Sequence, residues 1–202
     1  MKLYDDSRAP NPRRVRMFLA EKGIEIERVD VSIAAKDNRG EPYLAKNPLG
    51  LLPTLELDDG RLLPESMAIC RYLEELHPEP PLFGRDAWER ANVERWNRHA
   101  ELEVLFNVAF AFQNTSPFWI GRREQVPEFG ELATRNLRER MAWFDRELEG
   151  RTFLVGDAIT VADITLFAAL DFAKVVKVRV DETTPNLLRH YRAMGERASA
   201  KA

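Results

Sequence analysis

The chain has 202 residues, 45% apolar and 31% charged, which suits one domain or two small ones and excludes a disordered or a membrane-spanning chain. Lys and Arg number 30 against 33 Asp and Glu, a net charge of −3 that argues against nucleic acid or an anionic membrane as a partner. Cys70 is the single cysteine, so an internal disulfide, a Cys-x-x-Cys redox pair and a cysteine-rich zinc centre are excluded. His77, His99 and His190 lie too far apart in sequence for metal-ligand spacing, and no metal is expected.

The N-terminus, Met-Lys-Leu-Tyr-Asp-Asp, turns polar at once, and no signal-peptide core is expected. Lys2 to Tyr4 predicts a short strand. Asn11 then offers an N-cap and Pro12 a first helical residue, Val15 to Leu19 supply an apolar face, and Gly23 supplies the stop. Residues 25–31 place Ile26, Val29 and Val31 among polar neighbours, a second strand. Strand, helix and strand within about 30 residues predict a parallel pair with a right-handed crossover. A short helix follows at 42–46, then the loop Asn47-Pro48-Leu49-Gly50. Thr54 to Leu57, Asp58-Asp59-Gly60 and Arg61 to Leu63 read as strand, turn and strand. Ser66 to Leu76 is helical in composition.

Pro78, Pro80 and Pro81 make residues 78–84 a stiff linker. Beyond it strand signals vanish. Residues 86–112, 124–148, 160–174 and 185–198 read as four helices, the second with Leu137, Met141, Phe144 and Leu148 at three- and four-residue spacing. Thr160-Val161-Ala162-Asp163 has the form of a capping box, and the apolar helix behind it is predicted to be buried. The domains expected are therefore residues 1–77, βαβαββα in order, and residues 85–202, all helical.

A βαβ–ββα order with a proline opening the third strand resembles the thioredoxin fold. Asn47-Pro48-Leu49-Gly50-Leu51-Leu52-Pro53-Thr54-Leu55 and Pro64-Glu65-Ser66-Met67-Ala68-Ile69, followed by an all-helical half with its Thr160-x-x-Asp163 cap, are similar to the cytosolic glutathione transferases. The resemblance covers essentially the whole chain. It implies a thioredoxin-like glutathione-binding domain and a helical domain that contributes the site for the second substrate. It also implies glutathione as co-substrate, no metal, a homodimer, and a cytoplasmic detoxification enzyme.

The residues have their own physical reading beside it. A cis Pro53 would leave the amide and carbonyl of Leu52 facing outward at a strand end, free to pair with the main chain of an extended peptide; Pro53 also reads simply as the start of a strand. Glu65 and Ser66 precede a helix whose free N–H groups and positive dipole end suit a carboxylate, while Glu65 suits an ammonium. That pair of charges matches a γ-glutamyl group; ordinary capping by Ser66 is the alternative. Keeping a thiol as thiolate needs a donor or a helix N-terminus nearby. Ala9 stands at the theta-class serine position, and Pro10-Asn11 is similar to the nu class, so Asn11 is the first candidate for the thiol contact and Ser7 the second; Asn11 also reads as a plain N-cap. Arg39 is carried over from the family as the partner of the glycyl carboxylate, and Leu51 departs from the family's usual Lys or Gln.

Phe106, Phe110 and Trp119 are the candidates for a site holding an apolar electrophile, or else an aromatic core. Arg8, Arg13, Arg14 and Arg16 read as a solvated face, as subunit salt bridges or as an attractor for an anionic ligand. Cys70 reads as a small buried apolar residue. The expected function is glutathione transfer to small apolar electrophiles. The alternatives are glutathione-dependent disulfide reduction and a non-catalytic binding protein on the same scaffold.

Overall fold

A computed structural model describes residues 1–202, which divide into two compact units. The first holds Met1–Leu82 and Ala198–Ala202, the second Phe83–Arg197. The last five residues, expected in the helical domain, thus belong to the first unit.

The first unit is a four-stranded sheet flanked by helices. Its strands β1 (Lys2–Asp5), β2 (Glu27–Asp30), β3 (Thr54–Glu56) and β4 (Leu62–Pro64) run in the order β2-β1-β3-β4. β1 pairs parallel with β2 and antiparallel with β3, Leu3 lying opposite Leu55. Both leucines are fully buried, as central strands require. The Asp58-Asp59-Gly60 turn closes β3 onto β4, with Gly60 at φ 85°, a conformation that glycine adopts without penalty.

Helix α1 (Pro10–Lys22) connects β1 to β2 and ends at Gly23, whose left-handed φ of 65° lets its N–H reach back to the last turn. It begins earlier than expected. Ala9, held extended as residues before proline are, takes the cap position, and Asn11 lies inside the first turn with no capping bond. Two prolines fit that turn because its N–H groups have no intrahelical partner. The arginines depart further from expectation: Arg14 and Arg16 are buried. Arg16 Nη1 pairs with Asp5 Oδ1 at 2.6 Å, and its Nε donates to the Ala202 carbonyl at 3.1 Å. Arg13 Nη2 donates to the Ala200 carbonyl at 3.1 Å. The C-terminal turn Ala198–Lys201 therefore docks on α1.

A 3₁₀ turn (Asp37–Arg39) and the short helix α2 (Glu41–Leu44) lead into β3. α3 (Ser66–Leu76) packs on α1 through Ile69, Cys70 and Leu73, all fully buried.

The second unit is helical. α4 (Ala87–His99) and α5 (Phe106–Thr115) are one continuous helix widened to π geometry at Ala100–Leu105, where an unbroken α-helix was expected. Asp86 caps α4 by accepting from the Glu89 N–H at 2.8 Å. α6 (Pro127–Glu147) starts three residues late because Pro127 takes its first position. α7 (Val161–Phe172) buries ten consecutive residues, Val161 to Leu170, and opens with the capping box of Thr160 and Asp163. A 3₁₀ turn and α8 (Pro185–Glu196) complete the unit. Its core gathers Trp96, Val104, Leu137, Phe144, Leu166 and Leu187. No helix is long and apolar enough to cross a membrane.

Candidate glutathione site

In the first unit, the N-termini of α1 and α3 and the segment that leads into β3 border one pocket, with a cavity volume of about 60 Å³. Its walls are Asn11 from α1, Asn47, Leu51, Leu52 and Pro53 from the loop, and Glu65 and Ser66 at the start of α3. The Leu52–Pro53 peptide bond is cis.

The loop is a braced platform. The Leu51 carbonyl accepts from Asn47 Nδ2 at 2.9 Å and from Tyr43 Oη at 2.6 Å. The Gly50 carbonyl accepts from the buried Asn38 Nδ2 at 2.7 Å. Gly50 itself sits at φ 62°, and a Cβ there would meet the Asn38 carbonyl at 2.6 Å, so only glycine fits. These contacts hold Leu52 and Pro53 where they end the loop.

Both helix N-termini at the pocket are uncompensated. Neither α1 nor α3 has an acidic residue in its first turn, and neither has a side-chain cap. Each first turn therefore presents the positive end of its dipole; in α1, where Pro10 and Pro12 carry no N–H and the Arg13 N–H bonds the Ala9 carbonyl, the Asn11 N–H is the free donor. Ser66 is not the N-cap of α3; it is the first helical residue, and Glu65 occupies the cap position at φ 74°, ψ 113°. That backbone conformation is costly for a residue with a Cβ. Glu65 is exposed, so no buried contact of its side chain explains the strain. Ser66 is buried, and its Oγ accepts from Arg14 Nη2 at 2.8 Å. The same nitrogen donates to Asn11 Oδ1 at 2.8 Å.

Five of the residues singled out in the sequence, Asn11, Leu52, Pro53, Glu65 and Ser66, thus meet at one pocket. Ser7 and Arg39 stand outside its lining. Ser7 lies exposed in the turn after β1, and its carbonyl accepts from Arg16 Nη2 at 3.0 Å. Arg39 Nη1 donates to the Leu49 carbonyl at 3.1 Å. Tyr4, in β1, spends its hydroxyl on Glu56 Oε2 at 2.6 Å. Two residues at or beside the pocket had no individual site role in the sequence reading: Asn47, quoted there within the Asn-Pro segment, and Arg14, read there within the arginine cluster.

Cys70 is fully buried one turn into α3, and burial pushes its thiol up to about 12. The aromatic candidates of the second unit do not form one group. Phe106, Phe110 and Phe129 stack in sequence with centroids 5.9 and 5.4 Å apart. Trp119 instead packs with Phe112 and Phe118, 5.9 and 5.1 Å away.

Two family models match the chain: the glutathione S-transferase N-terminal domain over residues 9–76 and the C-terminal domain over residues 110–198. Glutathione S-transferase 2 of Saccharomyces cerevisiae is 36% identical over 205 residues, covering 100% of this chain and 88% of that protein. The chain belongs to the glutathione S-transferase family. The crystal structure of Gtt2 from Saccharomyces cerevisiae superposes with a TM-score of 0.94 at 35% identity, covering 100% of this transferase and 99% of that chain. A glutathione S-transferase from Methylobacillus flagellatus, solved with glutathione bound, superposes with a TM-score of 0.85 at 31% identity over 99% and 96% of the two chains. The glutathione transferase activity expected from the sequence therefore stands, as do the thioredoxin-like first domain and the helical second one.

Proposed function

We propose that glutathione lies along the first-unit pocket, its cysteinyl main chain paired with the Leu52 amide and carbonyl beside Pro53, and its γ-glutamyl group at Glu65 and Ser66. Two uncapped helix N-termini bordering one pocket carry this reading. Each favours an anion, and thiolate-form glutathione brings a carboxylate and a sulfur anion to two separate points. The α3 terminus takes the γ-glutamyl carboxylate, with the Ser66 hydroxyl, while Glu65 faces the ammonium. The α1 terminus and the Asn11 amide lower the thiol's pKa. The thiolate then attacks an electrophilic carbon: the sulfur–carbon bond forms from the thiolate's electron pair, and the leaving group departs with its own. Arg39, outside the pocket lining, is assigned to the glycyl carboxylate, and Ser7 is a reserve for the thiol contact.

The aromatic surface of Phe112, Phe118 and Trp119 is assigned to the apolar electrophile. Phe106 and Phe110, 43% and 38% exposed, with Phe129 at 43%, form an apolar patch that suits a second copy of the chain in a homodimer. A cytoplasmic role in detoxification accords with this chemistry and with a single, buried cysteine.

Calorimetric titration with reduced glutathione, run beside thiolate absorbance of the bound tripeptide against pH, tests the site. Saturable binding with a thiol midpoint below that of free glutathione is expected, and Asn11→Ala should raise that midpoint. No binding at millimolar glutathione would defeat the reading in favour of a binding protein for other ligands. High hydroxyethyl-disulfide reduction with negligible chlorodinitrobenzene conjugation would replace conjugation with disulfide reduction through bound glutathione.

A further inference from the structure

We propose that Arg14 is a positioning residue that sets the polarity of the glutathione site. The inference rests on the reading above, that Asn11 and Ser66 meet glutathione. Arg14 is 3% exposed and lies on the second turn of α1. Both features are costly. A cation in the second turn still opposes the dipole, though weakly, and a guanidinium removed from water loses its hydration. An apolar side chain would fill the same space between α1 and α3 more favourably. Apolar packing therefore does not account for an arginine here, and its hydrogen bonds to Asn11 and Ser66 are contacts that an apolar residue could not make.

Arg14 Nη2 carries two hydrogens, and they go to Asn11 Oδ1 and Ser66 Oγ, each at 2.8 Å. Arginine only donates, so both partners must accept. For Asn11 this fixes the amide: Oδ1 is turned to Arg14, and the two Nδ2 hydrogens are left on the other side of the amide. For Ser66 it occupies an acceptor lone pair of the hydroxyl and leaves its hydrogen to be donated elsewhere. One guanidinium thus converts two ambivalent groups, each able to donate or accept, into donors at a pocket with two helix N-termini. Without it, the Asn11 amide can turn its oxygen toward the sulfur, where it would repel a thiolate. The three-residue spacing of Asn11 and Arg14 places them on one face of α1, and the packing of α1 on α3 brings Ser66 to the same nitrogen.

The test compares Arg14→Lys, Asn11→Ala and the double variant. Lysine keeps the charge and discards the planar geometry that holds both oxygens. The readouts are the pH midpoint of bound glutathione's thiolate absorbance, kcat and KM for chlorodinitrobenzene conjugation, and melting temperature. Arg14→Lys should raise the thiol midpoint by about one pH unit, the worth of one hydrogen bond, and lower kcat near neutral pH by about tenfold. In the Asn11→Ala background the same change should move the midpoint little, because the amide it orients is gone. A folded Arg14→Lys protein with the wild-type midpoint overturns the inference, as does an equal added shift in the Asn11→Ala background. If Asn11→Ala itself leaves the midpoint unmoved, the assignment of Asn11 fails first and takes this role of Arg14 with it; a shift in Asn11→Ala with none in Arg14→Lys defeats Arg14 alone. Should Arg14→Lys not fold, the Asn11 side-chain NH₂ resonances of the wild-type protein decide. They should shift when reduced glutathione is added, and their indifference would overturn the proposal.

Discussion

Glu65→Gly separates function from folding at one position. Glu65 holds φ 74° with its side chain exposed. Such a conformation costs a residue with a Cβ about 1–3 kcal/mol. Glycine adopts it freely, but loses roughly 0.5–1 kcal/mol more than alanine in conformational entropy on folding. The two effects oppose each other, so the variant should melt at or slightly above the wild-type temperature. Glutathione binding should suffer all the same. If the Glu65 carboxylate holds the γ-glutamyl ammonium, its removal deletes a charge-assisted hydrogen bond worth about 1.5–3 kcal/mol, and the Kd should rise roughly 10- to 150-fold. Calorimetric titration gives the Kd and differential scanning fluorimetry the melting temperature. A variant that binds as tightly as wild type refutes the assignment of Glu65; a variant that loses both binding and several degrees of stability refutes the claim that the strain serves the ligand.

Asp163→Asn should destabilise the protein by about 2–5 kcal/mol in urea denaturation. The fully buried Asp163 carboxylate accepts from the Leu154 N–H at 2.9 Å and from the Thr160 N–H and Oγ at 2.9 and 2.8 Å, and meets His190 Nε2 at 3.0 Å. An amide turns one of its oxygens into a donor facing donors, and a loss below about 1 kcal/mol would show that the network relaxes freely. Cys70 should resist thiol reagents in the native protein and react fully in denaturant, because its thiol is buried and pushed up to about 12; rapid native modification would mean that α3 opens locally.

The elements that were legible in the sequence are those whose signal is local. Asp58-Asp59-Gly60 marked the hairpin, Gly23 the end of α1, and Thr160 with Asp163 the start of α7. The start of α1 was harder because Pro10 and Pro12 both suit a first turn, and only the extended backbone of Ala9 decides between them. The burial of Arg14 and Arg16 was illegible: four arginines within nine residues look like a solvated face until the partners Ser66, Asp5 and Ala202, distant in sequence, are in place. The return of Ala198–Ala202 to α1 carries no composition signal, since main-chain carbonyls accept the arginines' bonds. The division among the aromatics could have been read. Phe110 and Phe112 stand two residues apart on one helix, about 200° around its axis, and cannot share a face. The pocket's outline was legible because Pro53, Glu65 and Ser66 sit at element boundaries, which turn and cap signals mark in the sequence.

The proposed complex pairs the tripeptide's main chain with Leu52 and rests its charged head at the first turn of α3. A crystal structure of the protein with reduced glutathione tests it most directly. The cysteinyl amide and carbonyl should lie within hydrogen-bond distance of the Leu52 carbonyl and N–H, the γ-glutamyl carboxylate on Ser66, and the sulfur beside Asn11. Glutathione bound elsewhere, with the Leu52 main chain left to water, would contradict it.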